Sequence, residues 1–209
     1  MISSGTKAII VAAGRGRRLG PGTADIPKCM VKVGGRPILH WQLDALAAAG
    51  VRDVVMVRGY LGDRIDSGPF PVRFVDNPAW ADNNILASLM YAEAELTSVD
   101  PAHDRILQVG KGAVPPESAV GEFIGLAYFS AQGAKALAAT WHNALGAGGL
   151  EAPFGRAKVL RQAYLTDALN AMADAGEHLA PVYIDGEWRE IDTLQDLAAA
   201  EKALALWAR

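Results

Sequence analysis

Apolar runs and apolar stripes alternate along this chain. Lys7–Ala13 (KAIIVAA) is a short continuous apolar run, the pattern of a strand covered on both faces in a parallel sheet. Val31–Val33 reads as a short extended piece and Gly34-Gly35 as a turn. Arg36–Ala49 then changes period: Leu39, Leu43 and Leu46 share a helix face, Pro37 suits the first turn, and Gly50 is a natural stop. Val54–Val57 and Val72–Val75 are further buried strands. Ala81–Leu96 is a helix with Ile85, Leu89, Ala92 and Leu96 on its core face. Beyond it, Arg105–Val109, Phe123–Phe129 and Pro181–Ile184 read as strands; Ala134–Thr140, Val159–Ala175 and Thr193–Trp207 read as helices. Gly146–Gly149 reads as a Gly/Ala-rich loop.

Strands alternating with helices predict an α/β fold with a mainly parallel sheet. Ligands in such sheets sit beyond the carboxyl ends of the strands, so the loops after Ala13 and Val57 mark the mouth of the expected site.

Composition narrows the class. The 209 residues are 51% hydrophobic and 21% charged, ordinary for one globular domain, taken here as 1–209. A net charge of −3 gives no reason to expect nucleic acid or an anionic membrane. The single cysteine, Cys29, excludes a disulfide framework and a Cys-based zinc site. No apolar run reaches the roughly 18 residues that span a bilayer. The start is too short and glycine-rich for a signal peptide, so a cytoplasmic protein is expected.

The sharpest chemistry lies in Gly14-Arg15-Gly16-Arg17-Arg18-Leu19-Gly20-Pro21, directly after the first strand. Glycines let backbone N–H groups turn inward on an anion. Arg15, Arg17, Arg18 and Lys28 concentrate cations on an otherwise acidic chain, which suits a polyphosphate better than a solvated turn. No Walker A string G-x-x-x-x-G-K-[ST] occurs. A dinucleotide fingerprint fits badly: its third glycine comes one position late, and the second strand ends in Arg58-Gly59 instead of an acid.

Three further groups are candidates. Asn84 and Ser88 lie one helical turn apart and can face one ligand, although Asn84 is also a good helix cap. Glu190 and Asp192 leave an extended segment on one face; paired carboxylates beside a triphosphate suggest Mg2+, and the alternative is that Asp192 or Thr193 caps the last helix. Tyr60 and Trp188 read equally as ligand walls or as packing. The four histidines show no ligand spacing.

The stretch AIIVAAGRGRRLGPGTADIPKCM, with its A-A-G-x-G-x-R-L and later P-K, resembles the signature of the nucleotidyltransferases that make sugar nucleotides and CDP-alcohols. The likeness continues through VGGRPIL, through VMVRGY at Val55–Tyr60, and through WREIDTLQDL at Trp188–Leu197. NPAWADNNILAS (Asn77–Ser88) and GEFIGL (Gly121–Leu126) look most like the cytidylyltransferases that act on phosphocholine, aminoethylphosphonate and related compounds. The resemblance implies a Rossmann-like three-layer α/β/α fold. It also implies transfer of a nucleoside monophosphate, CMP from CTP on this branch, to a small phosphate- or phosphonate-bearing acceptor with release of pyrophosphate. A sugar-1-phosphate nucleotidyltransferase using UTP, dTTP or GTP is the nearest alternative, and a silent nucleotide-binding domain the next.

By resemblance, Arg18 holds the β- and γ-phosphates and Lys28 neutralises charge at the α-phosphate. Ala12, Ala13, Gly14 and Gly16 face the nucleotide, with Gly59, Tyr60, Asn84 and Ser88 completing its side. Lys111, Trp188 and Glu190 fall to the acceptor, and Asp192 to Mg2+. A homodimer is one arrangement open to such a protein. The pattern breaks between Leu96 and Arg105: several tens of family residues, including a strand ending in a metal-holding aspartate, have no counterpart near 97–104. A natural deletion, substitution by Asp100 or Asp104, or omission of a native segment would each explain it. The undisturbed pattern on both sides favours omission.

Overall fold

A computed structural model describes residues 6–93, 106, 108–110, 115, 123–182, 184 and 188–207. The regular elements, in chain order, are β1 (Lys7–Ala12), β2 (Lys32–Val33), β3 (Arg36–Pro37), α1 (Ile38–Ala48), β4 (Asp53–Arg58), β5 (Val72–Asp76), α2 (Ile85–Met90), α3 (Ala131–Gly148), α4 (Leu165–Asp174) and α5 (Leu194–Trp207). They fall into two compact units, Met1–Ala81 with Gly186–Arg209, and Asp82–Asp185.

The first unit is built on a parallel sheet in the order β1-β4-β5, with Lys7 opposite Asp53 and Val54 opposite Val72. β4 is the strand buried on both faces. Val54 and Met56 join Leu39 and Leu43 of α1 in one core with Cys29 and Ile65, while the alternate residues Val55 and Val57 are fully buried on the opposite face. β1 was expected to be covered in the same way. All six of its residues are only half-buried, because β4 covers one of its edges and no strand pairs with the other among the described residues.

The Gly34-Gly35 turn forms as expected, with φ of 58° and 80°, and closes the β2–β3 hairpin. The hairpin claims Arg36 and Pro37, so α1 starts at Ile38 with Pro37 at its cap position. Gly50, at φ 84°, ends it as read from sequence.

In the second unit the helix expected over Ala81–Leu96 is shorter, because Asn84 caps it at Ile85. Its buried face is Leu86 to Met90, and Ile85 is exposed. The helix expected over Ala134–Thr140 is longer. It begins after Ser130, whose hydroxyl accepts from Gly133 N, and continues through Gly146 to Gly148, so the expected loop there is helical. The stretch Val159–Ala175 breaks into a one-turn 3-10 helix (Leu160–Gln162) and α4. The break is fixed by the buried Asp167 carboxylate, which accepts from Tyr164 N at 2.9 Å and Arg156 N at 3.1 Å.

Residues 123–129, expected as a strand, are irregular, as are the described residues of the expected strands 105–109 and 181–184. An apolar run becomes a strand only where a ladder is available to satisfy its backbone. Val109 satisfies its own N–H and C=O on the Asn170 side chain, both at 2.8 Å.

Candidate active site

The loop after β1 is shaped by two buried anchors. Leu19 and Thr23 are each 1% exposed, and the Thr23 hydroxyl donates to Gly16 O at 3.1 Å. These contacts fold Arg17–Thr23 into 3-10 turns, kinked at Gly20, and leave the Arg17 and Arg18 side chains on the outside. Gly16 adopts φ 68°, and a Cβ there would stand 2.9 Å from Lys28 Cβ. The glycine therefore lets the Lys28 stem pass against the loop. Lys28 itself follows the extended Pro27 and opens the turn Lys28–Met30, held by the buried Cys29. Burial pushes the Cys29 thiol up to about 11, so it is a packing group here.

Arg18 and Lys28 meet on Asp192. Lys28 Nζ pairs with Asp192 Oδ1, and the Arg18 guanidinium with Oδ2. Asp192 is buried (8% exposed), and its Oδ2 accepts no aligned hydrogen bond despite facing Arg18. The alternative role of Asp192 as a helix cap is taken by its neighbour. Thr193 Oγ1 accepts from Asp196 N at 3.2 Å, and Asp196 Oδ2 accepts from the backbone N–H groups of Asp192 and Thr193. α5 is thus capped by Thr193 and Asp196, which frees the Asp192 carboxylate to face the two cations.

Burial acts to raise the Asp192 pKa, but hydrogen bonds from Lys28 and Glu190, and the charges of Lys28 and Arg18, outweigh it and hold the carboxyl below its ordinary value. Glu190 is pushed the other way, first by its hydrogen bond to Asp192, then by burial and the neighbouring negative charge. Among the described residues no three His, Cys, Asp or Glu side chains cluster as a metal cage. A divalent ion held by one or two carboxylates plus substrate phosphates needs no such cage. Asp192, with its unaligned buried oxygen and Glu190 beside it, fits that mode.

The loop after β4 closes against the loop after β1. Tyr60 N donates to Ala13 O at 2.9 Å, and Tyr60 Oη donates to Ala24 O at 2.5 Å. A Cβ on Gly59 would lie 2.5 Å from Trp80 Cβ and 2.8 Å from Ala13 O, so only glycine fits. Trp80 meets the Tyr60 ring edge-on at 5.2 Å, and the Arg15 guanidinium lies over that ring at 5.3 Å. Ala12 is half-buried, Ala13 buried, and Gly14 exposed with open space where a side chain would be. Trp188 is half-buried at the start of the Glu190–Asp192 segment.

The remaining expected residues lie in the other unit or outside the description. Asn84 is the cap of α2, accepting from Ile85 N at 2.9 Å and donating to Gln162 O at 3.2 Å. Ser88 is 5% exposed and donates to Asn83 Oδ1 at 3.1 Å. Lys111 lies outside the described residues. Sequence reasoning singled out neither Trp80 nor Arg64. The turn signal Asn77-Pro78 before Trp80 was the available hint; the contact of Arg64 with Asp25 O had none.

The chain is similar to known proteins. Residues 8–107 match the family model of the MobA-like NTP transferase domain. The chain is 38% identical over 94 residues to a choline-phosphate cytidylyltransferase of Streptococcus pneumoniae, a match spanning 44% of this chain and 41% of that protein. It is 28% identical to a 2-aminoethylphosphonate cytidylyltransferase of Lancefieldella rimae, over 93% of this chain and 91% of the relative. That alignment runs over 239 positions but takes in only about 194 residues of this chain, so about 45 positions carry no residue here. A solved CTP:phosphocholine cytidylyltransferase from Streptococcus pneumoniae superposes with a TM-score of 0.73, covering 95% of this chain and 98% of that one at 22% identity. The chain thus has the fold of the solved nucleotidyltransferase, and its residues 8–107 resemble the MobA-like NTP transferase domain.

Proposed function

We propose that this chain is a cytidylyltransferase, transferring CMP from CTP to a small phosphate- or phosphonate-bearing acceptor and releasing pyrophosphate. The observation that carries this reading is the convergence of Arg18 and Lys28, from two turns of one loop region, on a single carboxylate near the far end of the chain. Two cations focused on one point are a ready site for a polyphosphate, which competes for them with more charge than one carboxylate has.

In the reaction an acceptor oxygen bonds to the α-phosphorus of CTP, and the bond from that phosphorus to the oxygen bridging to the β-phosphate breaks. Arg18 holds the β- and γ-phosphates that leave as pyrophosphate, and Lys28 offsets charge building on the α-phosphate. Asp192, with Glu190 beside it, would hold Mg2+, which supplies further neutralisation of the phosphates when bound. The backbone of Ala12–Gly14 and Gly16 faces the nucleotide, with Gly59 and Tyr60 closing that side. Asn84 and Ser88, expected at the nucleotide by resemblance, bond to protein partners within the second unit. Lys111 serves the acceptor phosphate, and Trp188 and Glu190 an acceptor amine. Relatives named for choline phosphate and 2-aminoethylphosphonate support that acceptor class, since both compounds carry a cationic nitrogen and an anionic phosphorus group.

The test is pyrophosphate release with CTP, UTP, dTTP and GTP, each with Mg2+ and a panel of choline phosphate, 2-aminoethylphosphonate and sugar 1-phosphates. CTP with a phospho- or phosphonate amine should turn over. Turnover confined to sugar 1-phosphates with another triphosphate would reassign the enzyme. No turnover, with a thermal shift on CTP, would make it a silent nucleotide-binding domain.

A further inference from the structure

Lys28 is carried on an arm, Ala24–Lys28, that runs from the phosphate loop to the turn at Cys29. Ala24, Asp25 and Ile26 are exposed, so packing does little to fix the arm before Pro27. Two side chains from the loop after β4 take hold of it. Tyr60 donates to Ala24 O, and Arg64 Nη1 donates to Asp25 O, each at 2.5 Å. Arg64 owes its aim to an unusual backbone. Leu61, at φ 50°, is the one non-glycine residue with positive φ among the described residues. It reverses the chain into the 3-10 turn Gly62–Arg64. Left-handed backbone is unfavourable for a leucine and persists only where the surroundings enforce it. Arg58 braces the turn that follows: its Nη1 donates to Gly62 O at 3.3 Å, its Nε donates to Asp76 Oδ1 at 2.7 Å, and it stacks on Phe74 at 5.0 Å.

We propose that Arg64 is a positioning residue for Lys28: it fixes the arm so that the lysine ammonium is delivered to the point it shares with Arg18. The role rests on the cytidylyltransferase reading of that point, and Arg64 acts through Lys28 without touching the nucleotide. Tyr60 is the second tie of the same arm, which gives its hydroxyl a task apart from any contact of its ring with the base.

Two measurements test this, one independent of the function. Hydrogen exchange of the peptide spanning residues 24–31 should quicken in Arg64→Ala, with exchange in β4 unchanged; equal exchange in both proteins overturns the proposal. CTP affinity is then measured in the wild type, Arg64→Ala, Lys28→Ala and the double variant. Arg64→Ala should weaken binding about fivefold, the scale of one lost hydrogen bond, but only while Lys28 is present. Arg64→Lys, which keeps a charged N–H donor, should recover most of the loss. An equal loss in the Lys28→Ala background shows that Arg64 acts on the ligand directly and overturns the proposal, as does no loss at all. A wild type that binds no triphosphate refutes the cytidylyltransferase reading, while faster exchange in Arg64→Ala still upholds the tie between Arg64 and the arm.

Discussion

Lys28 Nζ is paired with Asp192 Oδ1, two residues separated by 164 positions in sequence, and Arg18 pairs with the other oxygen of the same carboxylate. The carboxylate proposed to hold metal is therefore the shared partner of the two cations proposed to hold phosphate, and offsets one of their two charges. Triphosphate and metal entering together would exchange these partners without leaving any charge unpaired.

Asp192→Asn separates the two roles of this carboxylate. A neutral amide releases Arg18 and Lys28, so metal-free CTP binding should tighten by about two- to fivefold, the scale of a partly exposed ion pair. The Mg2+ concentration needed for half-maximal turnover should rise in the same variant. Titration calorimetry without metal, and turnover against Mg2+, check the two halves; weaker metal-free binding would show that Asp192 supports the nucleotide in some other way.

Lys28→Ala and Arg18→Ala should each lower turnover at least about a hundredfold, as expected for losing one preorganised charge at the reacting phosphates. Both side chains are partly exposed, so the melting temperature should move little by comparison. Steady-state kinetics beside a thermal melt measures this. Near-normal rates in either variant would remove that residue from the mechanism.

Gly59→Ala places a methyl group 2.5 Å from Trp80 Cβ and 2.8 Å from a backbone oxygen, neither of which is the end of a flexible chain. Overpacking of this kind costs about 1–3 kcal/mol. Urea denaturation should show a lower midpoint at unchanged slope.

Much of the first unit was legible because local signals and tertiary needs coincide there. Val54–Val57 is apolar at every position and becomes the strand covered on both faces; Gly34-Gly35 and Gly50 sit where the backbone takes positive φ. The second unit was harder. Gly146 and Gly148 read as a loop, yet the alanine-rich helix carries through them and stops only at Gly149. The break before α4 depends on the Asp167 carboxylate reaching back to Tyr164 and Arg156, which no periodicity records. The Phe123–Phe129 run looked like a strand but finds no ladder among the described residues. In the site, glycine spacing and clustered charge indicated only a polyphosphate. Choosing Arg18, Lys28 and Asp192 needed the family resemblance, and the ties made by Tyr60, Arg64 and Trp80 depend on contacts between distant segments.

Asp196 gives a pH prediction that does not involve the reaction. Hydrogen bonds from the Thr193 hydroxyl, then from the backbone of Thr193 and Asp192, lower its pKa. A carboxyl lowered on folding adds stability above its unfolded pKa and loses it as pH falls through the folded value. Thermal melts across the acid range should therefore show α5 weakening below the ordinary carboxylate range. Asp196→Asn should flatten that part of the profile; an identical profile in the variant would show that the cap carries none of it.

The most direct test of the central claim is phosphorus NMR of CTP with Mg2+, the protein and a small phospho- or phosphonate-bearing amine. The account predicts pyrophosphate and a CMP-linked acceptor appearing in equal amounts, with both lost in Lys28→Ala. Inorganic phosphate in place of pyrophosphate, or CTP left intact with every acceptor, would contradict it.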